Sequence, residues 1–197
     1  MADLTRRALL GLGGATMVFP ARRATAGDDT TPPVLISGAG QYTELEPVRT
    51  APDRPIETID GTVVDFAEFR GRVVLVNFWA TWCAACVAEM PSFDRLAATE
   101  GERNLKVLPI SMDRGGRVSV TAFYRRYRLS HLPVVTDPAE HIGHFRTGNL
   151  NGAPFALHAL PITYLIDRRS RIRGYVPGAA DWQSEAAQRL LQFMAST

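Results

Sequence analysis

Two stretches of the chain are apolar at nearly every position: Val73 to Trp79, broken only by Asn77, and Leu105 to Ser111, whose one charge is Lys106. Continuous apolar runs of this length are what strands buried on both faces of a sheet require. Between them Val87, Met90, Phe93, Leu96 and Ala97 recur at spacings of three or four. That period predicts a helix from Cys83 to about Glu100, with Pro91 inside it to kink it. Val118 to Leu129 repeats the helical pattern, Leu132 to Thr136 is a short extended piece, and Ala139 to Phe145 reads as a helical turn or two. No period organises Gly148 to Leu160. Ile162 to Ile166 and Arg171 to Val176 flank the turn-like Asp167 to Ser170 and read as an antiparallel pair. Trp182 to Met194 closes the chain as an amphipathic helix, capped by Asp181 or the loop before it.

Ahead of these elements, Ile56 to Val64 holds two alternating pieces joined by Asp60-Gly61, a hairpin signal. The order βαβα, then ββα, implies an α/β fold in which a mixed sheet carries helices on both faces. Gly27 to Pro55 is rich in Pro, Gly, Thr and Asp and reads as a flexible arm. Before it, Thr5-Arg6-Arg7 precedes a small apolar run from Ala8 to Phe19, and Ala24-Thr25-Ala26 comes after that run as an A-x-A cleavage pattern. Residues 1–26 are therefore expected to be an export signal of twin-arginine type, 27–55 an arm, and 56–197 one domain. Twelve apolar residues fall short of the roughly 20 a membrane span needs, so a lasting anchor arises only if the leader stays uncleaved.

At 197 residues, 46% hydrophobic and 21% charged, the chain can bury one core without structural staples. The formal charge of +2 changes meaning once the leader is set aside. Residues 1–26 hold four arginines (Arg6, Arg7, Arg22, Arg23) and one acid (Asp3), out of 22 basic and 20 acidic residues, so residues 27–197 carry −1. Nothing in that balance suits nucleic acid or an anionic membrane, which leaves proteins or small molecules as partners.

The candidate chemistry lies in Trp82-Cys83-Ala84-Ala85-Cys86, which contains both cysteines of the chain. They sit where a buried strand ends and a helix begins, the edge at which α/β proteins place their sites. Unpaired N–H groups and the positive dipole end favour a thiolate at Cys83, making it the nucleophile. Cys86, one turn on, can attack the mixed disulfide that Cys83 forms. Zinc would need four ligands, and the nearest candidates are only His141 and His144. A structural disulfide would close a very short loop and constrain the unfolded chain least. His131, His141, His144 and His158 are spaced for no compact metal site.

The run Val76-Asn77-Phe78-Trp79-Ala80-Thr81-Trp82-Cys83-Ala84-Ala85-Cys86-Val87-Ala88-Glu89-Met90-Pro91 resembles the active-site segment of TlpA-like and ResA-like thioredoxin-fold proteins, which are exported thiol-disulfide oxidoreductases. Asp60-Gly61 through Phe69-Arg70-Gly71 is similar to their N-terminal hairpin, and Leu160 to Asp167 to their cis-proline segment. Gly178 to Trp182 and the last helix point to the TlpA-like branch. The resemblance covers about 55–194 and implies a thioredoxin-like sheet with an N-terminal β-hairpin extension. It implies that Pro161 is cis, that the backbone at Leu160 pairs with a client chain, that Trp82 covers the disulfide, and that Glu89 handles protons, although an exposed helix glutamate is an equal expectation. Unlike thioredoxin, the central strand offers Asn77 where that protein has a buried acid, and an amide cannot act as a base. By the same resemblance the protein is a periplasmic monomer without cofactor that reduces client proteins in cytochrome oxidase copper-site or cytochrome c assembly, recharged by a membrane thiol reductase. Two other uses of the pair stay open: holding Cu(I), and forming disulfides.

Overall fold

The computed structural model describes residues 31–145, 149 and 151–197, with only the backbone for 100–103. The expected leader, the start of the arm, residues 146–147, and 148 and 150 of the aperiodic stretch lie outside the described residues. In chain order the elements are β1 (Thr43–Thr50), β2 (Ile56–Glu57), β3 (Val63–Val64), a 3-10 turn (Phe66–Phe69), β4 (Val73–Trp79), α1 (Ala84–Asn104), β5 (Leu105–Ser111) and α2 (Gly116–Tyr127). After these come β6 (Val135–Thr136), β7 (Gly143–His144), β8 (Phe155–Ala156), β9 (Ile162–Ile166), β10 (Arg171–Pro177) and α3 (Glu185–Ser196). Six strands form one mixed sheet in the order β1-β10-β9-β4-β5-β6. The two continuous apolar runs, β4 and β5, pair in parallel at its centre, and β9 runs antiparallel to β4.

Alternation along β4 divides the core. Val73, Leu75 and Trp79 belong to one cluster, to which all three α-helices contribute. Val74, Val76 and Phe78 belong to the other, with Phe66 and Phe69 of the 3-10 turn and Ile142, Phe155 and Leu157. Among the described residues the second face is thus covered by the 3-10 turn and by Ile142, Phe155 and Leu157 rather than by an α-helix. The helical turn expected over 139–145 does not form. The Asp137 carboxylate accepts hydrogen bonds from the backbone N–H groups of His141, Ile142 and Gly143 at 2.8–2.9 Å, and satisfies locally the donors a helix would use. Gly143 and His144 instead pair in parallel with Phe155 and Ala156.

The largest departure concerns the arm. Its part from Thr43 to Thr50 is the edge strand β1, antiparallel to β10 with a bulge between Glu44 and Arg49. Leu35 and Tyr42 are buried in the first cluster, so the domain begins well before residue 56. An edge strand exposes most of its side chains and gains its stability from the backbone ladder, which a polar sequence can supply. The hairpin is as expected, β2 against β3 around Gly61 at φ +85°, and Ile59 N–H donates to Val134 O at 2.9 Å to fix it beside β6. The last helix starts later than its apolar pattern, with Ser184 rather than Asp181 as N-cap.

Candidate active site

β4 ends at Trp79 and α1 begins at Ala84, so the four residues between must turn tightly. Asp113, buried just after β5, holds that turn: its carboxylate accepts from Thr81 N–H at 2.9 Å, Thr81 Oγ1 at 2.5 Å and Ser111 Oγ at 2.6 Å. Sequence reasoning misses Asp113; an acid two residues after the Ser that ends a buried strand is its only trace. Cys83 is the N-cap of α1 and its Sγ accepts the N–H of Cys86 at 3.2 Å. The two cysteines form a disulfide, with Cα atoms 5.2 Å apart. Cys86 is 1% exposed, whereas Cys83 is half-buried. An incoming thiol or disulfide therefore meets Cys83 first.

The Leu160-Pro161 peptide is cis. The pairing of Phe78 with Ile162 sets Pro161 beside the end of β4 from which the cysteine segment leaves, and Leu160 packs on the cluster that contains Cys86. A second cis bond, Glu46-Pro47 in β1, has no recognisable sequence signal. Trp82 stands 69% exposed beside the pair. Its ring lines an open groove of about 580 Å³ with Met112, Arg114, Pro138, Glu140 and Phe145.

Glu89 is not the exposed helix residue that was one of its two expectations: it is 3% exposed, one turn beyond Cys86 on α1. Its Oε1 accepts from Trp182 Nε1–H at 2.7 Å and Ala180 N–H at 2.9 Å, and its Oε2 from Asn77 Nδ2 at 3.3 Å. Burial pushes its acid dissociation up to about 7, against these three donors, which pull it down. Asn77 Nδ2 also donates to Thr163 Oγ1 at 3.0 Å. The amide of the central strand, which cannot titrate, thus contacts an acid that can. His131 pairs with Asp94 at 3.1 Å away from the cysteines. Among the described residues no three His, Cys, Asp or Glu side chains are arranged to hold a metal ion.

A βαβ core with an added antiparallel pair, a CxxC disulfide at the strand-to-helix edge and a cis-proline beside it define a thioredoxin-like thiol-disulfide oxidoreductase. The sequence profile of the AhpC/TSA family matches residues 47–175, and the chain belongs to that family. Its relatives include the thiol-disulfide oxidoreductase ResA of Geobacillus thermodenitrificans (strain NG80-2), 28% identical over 129 residues, 66% of this chain and 68% of that protein. ResA of Oceanobacillus iheyensis is 32% identical over 123 residues, 62% of this chain and 58% of the relative. Among solved structures, a secreted thiol-disulfide isomerase from Corynebacterium glutamicum superposes with a TM-score of 0.56 at 22% identity, covering 85% of this chain and 94% of that one. The pneumococcal exposed lipoprotein thioredoxin Etrx1 of Streptococcus pneumoniae gives 0.53 at 23%, covering 74% and 100%. These two likenesses support the fold.

Proposed function

We propose that the protein is an exported reductant of client-protein disulfides, and that the observation carrying this reading is the unequal pair backed by a buried acid. The half-buried Cys83 sits at the helix N-terminus, where its thiolate is favoured. That thiolate attacks one sulfur of a client disulfide; the client's other sulfur leaves as a thiolate and takes a proton from solvent. Glu89, as carboxylate, accepts the proton of Cys86, whose thiolate then attacks the Cys83 sulfur. The client departs as a dithiol with two electrons gained, and the protein, having given them up, is left with the Cys83–Cys86 disulfide. With its acid dissociation near 7, Glu89 can both take and return that proton at neutral pH.

Trp82 and the groove beside it, with the Leu160 backbone at the cis-proline, are the surfaces for the client chain, bound as an extended strand. By family resemblance the clients are cysteines of cytochrome oxidase copper sites, their assembly factors, or apocytochrome c, and the protein works as a monomer in the periplasm. The leader read from residues 1–26 supports export, and no helix among the described residues is long and apolar enough to cross a membrane. A reductant in an oxidising compartment must be recharged, so a membrane thiol reductase is the electron donor.

The deciding experiment is trapping. Cys86→Ser should stall on its client as a mixed disulfide through Cys83, and mass spectrometry of the adduct names the client; Cys83→Ser should trap nothing. Wild-type protein found mainly reduced in growing cells supports the proposed direction of flow. Protein held oxidised in cells would reverse that direction, and an empty trap with Cu(I) retained against a chelator would replace exchange by metal carriage.

A further inference from the structure

The Glu89 carboxylate is held unequally. Oε1 receives two donors, the Trp182 indole at 2.7 Å and the Ala180 amide at 2.9 Å, while Oε2 has only Asn77 Nδ2 at 3.3 Å. Each donor lowers the proton affinity of the oxygen it serves. Oε1 therefore stays bare and Oε2 takes the proton. The partner of Oε2 can follow that change, because Asn77 Oδ1 is buried with no hydrogen-bond partner. A half-turn of the amide presents Oδ1 to the new O–H, and the Thr163 hydroxyl, 3.0 Å from Nδ2, changes from acceptor to donor. Trp182 has no such freedom. It is 0% exposed, its ring stacks on Phe93 with centroids 5.4 Å apart and 26° between planes, and its carbonyl accepts from Gln188 Nε2 at 3.2 Å.

We propose that Trp182 is a positioning residue of the exchange reaction: with the Ala180 amide, its indole N–H fixes Oε1 of Glu89 and leaves Oε2 as the one oxygen that takes the proton released by Cys86. This rests on the reading of Glu89 as proton acceptor and adds what orients it. The groups that hydrogen-bond Glu89 are Ser92 on its own helix, Asn77 from β4 with Thr163 of β9 behind it, and Ala180 and Trp182 from the loop after β10, and Cys86 precedes it by one turn of α1. Ser92 Oγ is engaged on the Glu89 carbonyl at 2.8 Å, and Asp181 turns its carboxylate to the Gln183 N–H at 3.0 Å. The groups bonded to the Glu89 carboxylate are thus neutral, and the titratable side chain one turn before it on α1 is Cys86, once reduced.

The test is the pH profile of the rate at which reduced protein consumes oxidised glutathione. The inflection near neutrality should vanish in Glu89→Gln. In Trp182→Phe, which keeps the stack on Phe93 but lacks the N–H, it should move up by about one pH unit. Phe93→Leu, which loosens the stack and keeps the N–H, should leave it in place. An inflection lost in Glu89→Gln but unmoved in Trp182→Phe, or moved as far by Phe93→Leu, overturns the proposal alone. One that survives Glu89→Gln overturns the proton-acceptor reading, and the proposal with it. In the unsubstituted protein, the ¹⁵N-labelled indole signal of Trp182 should titrate with the midpoint of the rate. A flat Trp182 signal across that midpoint overturns the proposal even if a variant does not fold.

Discussion

Glu89 couples the chemistry of the site to the stability of the fold. Its dissociation is pushed up to about 7 by burial, whereas an unfolded chain releases that proton at about 4.3. Between these values the native state holds a proton that the unfolded state has lost, so this residue's contribution makes stability fall as pH rises through that window. Below it the effect is absent, and above it the full cost of a buried carboxylate, on the order of 3 kcal/mol, is present. Glutamine at position 89 keeps an oxygen for Trp182 and Ala180 and carries no proton to lose. Urea unfolding at about pH 5 and about pH 8 should therefore show a drop in the wild type that Glu89→Gln removes, the variant being the more stable of the two at the higher pH. Equal pH dependence in both proteins would place the cost elsewhere.

The elements explain which parts of the structure could be foreseen. β4 and β5 were legible to the residue because their apolar runs have no competing use, and the cysteine pair was legible because its meaning depends on the strand before it and the helix after it. β1 was not, since an edge strand is specified by the neighbour it pairs with and its own side chains face solvent. The neighbour carries the signal instead. A Cβ on Gly174 would lie 2.3 Å from Thr43 O and 2.7 Å from the Tyr42 ring, so β1 can approach β10 only because that side chain is missing. Gly174→Ala should displace β1 and cost about 1–3 kcal/mol, with hydrogen exchange accelerated first in Thr43 to Thr50. The same limit applies at the site. Glu89 looks like any helix acid because Trp182, which shows it to be internal, is 93 residues away in sequence. Asp113 is hidden in the same way, for it acts on a turn 32 residues before it.

At the scale of the whole molecule the sheet separates two tasks. Glu89, Asn77, Thr163 and Trp182 lie on the face packed by α1 and α3, while Phe66, Phe78, Phe155 and Tyr164 form an aromatic group on the other, with Phe155 centroids 5.0–6.0 Å from the three neighbours. Phe155→Ala should thus lower stability by about 3–5 kcal/mol and leave the pH midpoint of exchange where it was, as denaturation and rate profiles on the same preparation would show. A midpoint that moved would mean that the faces communicate through β4. The unequal burial of the two sulfurs also reaches beyond catalysis. With Cys83 half-buried and Cys86 1% exposed, the reduced protein should accept one bulky maleimide while folded and a second only in denaturant. Molecules holding the disulfide take none in either condition, so the added mass on a single gel separates oxidised, folded-reduced and unfolded-reduced chains, and the protein becomes a counter of its own state.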